Sequence, residues 1–251
     1  MSVPELRDGL RDGRLVRVLR GCYALSPPSG PPWEVERYLL LARAAAAHRT
    51  RTGTHWFSGE TAALLWGCAL VRVPAVVDVT TTVNPHVRAG RTPGVRQHWT
   101  GDASRAAETT ALLALPASSS ARTVVECAST LPSRGGLALA DSALRAGADP
   151  GDLARVLAAS TGLRGVRRAR DVIAHADGRS DSVGESMLRH DLLRAGVAAP
   201  EPQVAVRTRQ GWRWIDLGWR DERVGVELDT DRDPTPRSDP LVCRDRTTPP
   251  R

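Results

Sequence analysis

Four carboxylates toward the C-terminal end are the residues whose type and spacing could do chemistry. They are Glu185, in GESMLRHDLLRAGV, and Asp216, Glu227 and Asp229, in WIDLGWRDERVGVELD. Carboxylates that converge can hold Mg²⁺, which activates water and steadies the charge of an attacked phosphodiester. Convergence depends on the elements that carry them. The segment 182–196 is expected to be a helix, with Leu188, Leu192 and Leu193 inward and Gly196 as its stop. Glu185 then falls in its first turn. PQVAVRT, WRWIDLGW and RVGVELD read as three successive strands.

Joining the last two strands by a loop at 220–223 sets Trp219 against Val224 and Asp216 opposite Glu227. The pleat puts Glu227 and Asp229 on one face and Val224, Val226 and Leu228 on the other. The apolar face is expected to pack on the helix that bears Glu185. Glu185, Asp216 and Glu227 are then candidate metal ligands, and Asp229 a candidate for orienting water. Acids on exposed strand positions are also commonplace, so spacing alone equally allows a surface hairpin that binds no metal.

The second candidate set is basic and lies at the other end. The segment 4–11 suits a short helix stopped by Gly13, and 15–19 and 22–25 read as two strands around a turn at Arg20-Gly21. A helix followed by a basic ribbon is the order found at the end of a winged helix-turn-helix. Arg7, Arg11, Arg14, Arg17 and Arg20 would meet phosphates rather than read bases. A solvated helix and hairpin has the same spacing. Arg167, Arg168 and Arg170 form a further basic knot, for which a solvated helix face is the commoner explanation.

The net charge is +7, and all 35 basic residues are Arg, spread along the chain. That spread suits a coding bias toward Arg, while the net field still favours polyanionic partners. No signal-peptide pattern opens the chain, and the most apolar stretch, 38–48, is too short to span a bilayer. A soluble cytoplasmic protein with no membrane partner is expected. Cys22, Cys68, Cys127 and Cys243 form no C-x-x-C pair and, like the six histidines, suggest no zinc site. Between the two ends, Ser58 is a plausible N-cap, 76–83 and 95–99 are expected strands, and the chain from 120 to 177 turns helical. Asp149-Pro150 opens one of those helices.

The run GESMLRHDLLRAGV…PEPQVAV…WIDLGWRDERVGVELD resembles the domain related to very-short-patch-repair (Vsr-like) endonucleases, a branch of the PD-(D/E)xK superfamily. In that family a helix Glu precedes a strand Asp, and the next strand ends in E-x-D-G with a His shortly after. The resemblance gives Glu185 the helix position, Asp216 the strand position, and Glu227 and Asp229 the E-x-D positions. It implies a Mg²⁺-dependent endonuclease. Thr230 stands where the family has Gly, and no His follows. From 230 to 251 the chain has five Pro, five Arg, four Asp and four Thr, a composition expected to be disordered and suggestive of a degenerate or frameshifted end.

GRLVRVLRGCYAL, FSGETAALLWGCAL and ARTVVECASTLP with ADSALRAG resemble a second family, the AbiEi-like antitoxins and transcriptional regulators of type IV toxin–antitoxin systems. That resemblance spans most of 1–178. It implies a winged-helix head that binds double-stranded DNA, with a toxin or its gene operator as partner. The leading helices of the winged helix are missing before Val3, which an upstream start codon would remedy.

The expected fold class is α+β. A partial winged-helix head (1–25) precedes a linker (26–32) and a mixed α/β and helical region (33–178). A truncated restriction-endonuclease-like domain (179–229) and a disordered tail (230–251) complete it. The expected function is a DNA-binding, antitoxin-like regulator carrying a catalytically silent nuclease-like domain. An active Mg²⁺-dependent endonuclease is the alternative, and a protein-interaction module without nucleic acid is the third reading.

Overall fold

The computed structural model describes residues 2–84, 93–102 and 104–228. The chain is mixed α+β and divides into two compact units, Met1–Trp66 with Arg72–Ser119, and Gly67–Val71 with Ser120–Arg251. Among the described residues no helix is long and apolar enough to cross a membrane. The expected tail, 230–251, lies outside the described residues, as do Asp229 and Cys243.

In the first unit, α1 (Val3–Arg11) opens with a capping box. Ser2 N–H donates to Glu5 Oε2 at 2.6 Å, and Glu5 N–H donates to Ser2 Oγ at 3.4 Å. β1 (Leu15–Leu19) and β2 (Cys22–Leu25) pair antiparallel around Gly21, whose φ of +74° suits the turn. Gly9 is buried where α1 presses on β1, and a Cβ there would come within 2.7 Å of Leu15. α2 (Pro32–Arg49) buries Leu40, Ala44 and Ala47, one stripe of helical spacing.

Beyond α2 comes a five-stranded sheet of β3 (His55–Phe57), β4 (Val77–Thr81), β5 (Val95–Trp99), β6 (Thr109–Leu112) and β7 (Leu115–Ser118), in the order β5-β4-β3-β7-β6. Two short helices, α3 (Gly59–Leu65) and α4 (Ser104–Ala107), lie between its strands in sequence. β4 and β5 fall where alternation predicted strands, and they pair parallel. β6 and β7 turn through Leu113 and Ala114 with φ of 52° and 61°. Glycine or asparagine normally marks such a turn, so neither residue announced it. Ser58 does stand at the N-cap of α3, but its hydroxyl meets Thr80 Oγ1 at 2.7 Å instead of a helix N–H.

The second unit holds α5 (Ser120–Thr130), α6 (Ser133–Arg145), α7 (Pro150–Ala159), α8 (Val166–Ala174) and α9 (Val183–Arg194). Its sheet is β8 (Glu201–Thr208), β9 (Gly211–Trp219) and β10 (Val224–Val226), in the order β10-β9-β8. Asp149 caps α7 by accepting from Asp152 N–H at 2.8 Å. Gly165 has φ +84°, and a Cβ there would lie 2.1 Å from the Ser129 carbonyl oxygen, so no side chain fits. Arg168 Nη1 donates to the carbonyls of Ser129, Thr130 and Leu131, closing the end of α5. One member of the basic knot therefore serves the fold, while Arg167 and Arg170 are exposed.

The division between units falls at Ser119/Ser120, inside the region 33–178 read from the sequence as one stretch. A buried ion pair helps bind the helices to the last sheet's helix. Arg189 of α9 donates through Nη2 to both oxygens of Asp141 on α6, at 2.8 and 2.6 Å. Cys22 and Cys68 are free thiols, and burial pushes the Cys68 thiol up to about 12.

Candidate carboxylate site

α9 begins with Ser182 as N-cap, accepting from Glu185 N–H at 3.1 Å, and Glu185 Oε2 accepts from Asp181 N–H at 3.0 Å. The cap turns the Glu185 carboxylate back over the helix start and leaves the residue 6% exposed. β8 and β9 pair through Pro202↔Leu217 and Val204↔Ile215, which sets Gln203 across from Asp216. β9 and β10 pair through Val224↔Trp219 and Val226↔Leu217, the expected hairpin register. Continuing that register by one residue sets Glu227 across from Asp216, just past the end of β10. Gln203, Asp216 and Glu227 thus form one row across three strands, with Glu185 at its end.

The contacts follow this row. Gln203 Nε2 donates to Glu185 Oε2 at 3.0 Å and reaches Asp216 Oδ1 at 3.5 Å. Asp216 Oδ2 accepts from Leu228 N–H at 2.8 Å. Burial raises the Glu185 carboxyl above the ordinary carboxylate range; Asp216 adds to this, and the hydrogen bonds from Asp181, Gln203 and Ser182 oppose it. Glu227 is raised by partial loss of hydration and then by Asp216, although the residue as a whole is exposed. Like charges therefore face one another along the row.

The packing beneath the row differs from the expected one. Val224 is 52% exposed and does not anchor the sheet. The buried side chains are Leu217 at 0%, Val204 at 6% and Pro202, from the two longer strands. A three-residue edge strand has too little length to bury its own alternating face, so β8 and β9 carry that role. Full burial of Leu217 contributes about 1.5–3 kcal/mol.

The described part of the row, which leaves out Asp229, is bridged by an amide rather than gathered around a common centre. Among the described residues no group of three or more His, Cys, Asp or Glu side chains could hold a metal ion. The reason is visible in the contacts, because the Gln203 amide, a donor, lies between Glu185 and Asp216.

The five expected DNA-contacting arginines, Arg7, Arg11, Arg14, Arg17 and Arg20, are all exposed. Arg11 pairs with Asp8 and Arg14 with Asp12, each at 2.7 Å. Arg17 Nε donates to the Leu19 carbonyl at 3.3 Å. Arg7 and Arg20 make no ion pair among the described residues.

Three polar features escaped sequence reasoning. Gln203 carried no charge or motif to draw notice. Asp141 and Arg189 lie far apart in sequence, on helices whose packing periodicity cannot reveal. Asp78, in VVDVTTTV, is 3% exposed and accepts from His98 Nε2 at 2.8 Å and Arg96 Nη1 at 3.2 Å. An acid inside a β-branched run was the available signal there. Glu60, raised by burial and then by Asp78, completes that cluster in the first unit.

No family model matches the chain. Two proteins of Mycobacterium tuberculosis are similar to it: uncharacterized protein MT2308 of strain CDC 1551 / Oshkosh and uncharacterized protein Rv2248 of strain ATCC 25618 / H37Rv. Each is 30% identical over 232 residues, which is 92% of this chain and 79% of the relative. The crystal structure of the RV2827C protein from Mycobacterium tuberculosis covers 82% of this chain and 76% of its own, with a TM-score of 0.43 and 17% identity. The chain belongs to the family of MT2308 and Rv2248.

Proposed function

We propose that this family member is a duplex-DNA-binding protein of the antitoxin or transcriptional-regulator kind, and that its second unit carries a catalytically silent nuclease-like row. The observation that carries the reading is the joint exposure of Arg7, Arg11, Arg14, Arg17 and Arg20 on α1, its following turn and the β1–β2 hairpin. Guanidinium groups on a helix and an adjoining ribbon suit phosphate contacts, which position a protein on a duplex without reading sequence. The ion pairs of Arg11 and Arg14 are exposed, so exchanging an aspartate for a phosphate costs little. The net charge of +7 supports association with a polyanion. A toxin or its gene operator is the partner that the antitoxin resemblance supplies.

Duplex binding measured across a salt series tests the reading. Arg17→Ala with Arg20→Ala should weaken binding to any sequence and lower the salt slope by about 2, near 0.9 for each lost phosphate contact. A wild-type chain that leaves duplex DNA unbound at low salt sinks it.

The second reading is a Mg²⁺-dependent endonuclease with Glu185, Asp216 and Glu227 toward the metal. It is favoured by the register that sets Gln203, Asp216 and Glu227 in one row beside Glu185. Plasmid nicking that requires Mg²⁺ and disappears in Asp216→Ala would support it. Inert protein at high concentration counts against it.

A further inference from the structure

We infer that the side-chain amide of Gln203 takes the place of a cation in the carboxylate row, so that the row is closed without metal. This rests on reading the row as nuclease-like. A single NH₂ group carries two donors, and here it faces two carboxylates, Glu185 at 3.0 Å and Asp216 at 3.5 Å. The orientation of the amide follows from its partners. An ionised carboxylate only accepts, so the NH₂ end must face both and the carbonyl end must turn away. In this orientation a cation between Glu185 and Asp216 would meet those N–H hydrogens, and the amide would have to turn over and give up both bonds to admit one.

The backbone at Gln203 supplies a second, independent observation. Its φ is +54°, a left-handed conformation uncommon for a residue with a side chain. Strand pairing continues on both sides, through Pro202↔Leu217 and Val204↔Ile215, and lapses at the residue between them. Such a conformation persists where the surroundings over-determine it, and strained residues concentrate at sites. Here the surroundings are the buried neighbours Pro202 and Val204 and the two carboxylates that the amide serves. Asp216 is held from the other side by Leu228 N–H at 2.8 Å, so it cannot withdraw from the amide without losing that bond. The row is therefore a like-charge cluster compensated by a neutral bridge.

The test is thermal unfolding of the full chain with and without millimolar Mn²⁺. The chains compared are wild type, Gln203→Ala, and Gln203→Ala combined with Glu185→Ala. Wild type should unfold at the same temperature in both conditions. Gln203→Ala should unfold about 5 °C lower without metal and regain most of that loss in Mn²⁺. Glu185→Ala in the same chain should cancel the regain. Gln203→Met keeps the length and lacks the amide, so the same pattern there separates the bridge from lost volume. A wild-type chain stabilised by Mn²⁺ through Glu185 overturns the inference, because cation and amide would then coexist. Gln203→Ala and Gln203→Met chains that unfold with wild type overturn it as well. Variants that are destabilised yet blind to Mn²⁺ support the bridge, and overturn instead the reading of the row as nuclease-like.

Discussion

Glu185 and Arg189 stand one turn apart on α9, and both are buried, at 6% and 5% exposure. Arg189 meets its opposite charge. Its Nη2 reaches both oxygens of Asp141, and its Nη1 donates to the His175 carbonyl at 2.6 Å. Asp141 accepts a further bond from Asp177 N–H at 2.7 Å. Burial pushes the Asp141 carboxyl up, and Arg189 opposes that shift. Glu185 makes no ion pair of that kind: it faces Asp216, a like charge, across a neutral amide, and feels the Arg145 guanidinium only through space. The same helix thus holds one buried charge that serves the fold and one that the fold tolerates. Charges of the first kind pin elements together.

Mutations can break or sharpen this contrast. The largest effect is expected at Arg189→Ala, which leaves Asp141 buried without its partner and should cost about 3–5 kcal/mol in urea denaturation. Replacing both, Asp141→Leu with Arg189→Met, should cost far less than the sum of the single changes. A loss under about 1 kcal/mol for Arg189→Ala would mean that the pair pins nothing. Asp216→Asn comes next and runs the other way. Removing one of two facing like charges should leave stability at neutral pH unchanged or raised by up to about 1 kcal/mol. A clear loss there would show that Asp216 is held for the fold, like Asp141.

The smallest effect is a change of pH profile. Glu185 and Glu227 both lie above the ordinary carboxylate range in the folded chain, so the folded form keeps their protons longer than the unfolded form. Their contribution to stability is fully present below the unfolded value, near about 4.3, and is lost as pH rises through the raised folded values. Glu185→Gln should therefore flatten the fall in stability as pH rises from about 4.3 toward neutrality. A profile that superimposes on wild type would remove Glu185 from the strained half of the comparison.

Much of the row's framework is legible in the sequence. The period-2 alternation in WRWIDLGW and RVGVELD, with four residues between Trp219 and Val224, was enough to set Asp216 against Glu227. The periodicity of 182–196 put Glu185 in the first turn of a helix, while the Ser182 cap that turns the glutamate inward came only from the structure. Hidden from that reading were the anchors of the sheet. Val224 and Leu217 look alike as apolar strand residues, and only the short length of β10 separates an exposed position from a buried one. The turn at Leu113-Ala114 was hidden as well, because its residues lack the glycine or asparagine that normally reports positive φ.

By itself, the sequence determined the α+β class, the helix and hairpin at the front with their exposed arginines, and the order of carboxylates at the back. These are local properties, set by periodicity, caps and turn lengths, so they are written in neighbouring residues. Only the tertiary structure decided that Asp141 and Arg189 meet across 48 positions and that helices 120–174 share a unit with the last sheet. It alone placed the Gln203 amide between Glu185 and Asp216. Such contacts join residues distant in sequence through the packing of whole elements, and charge or spacing within one segment carries no record of them.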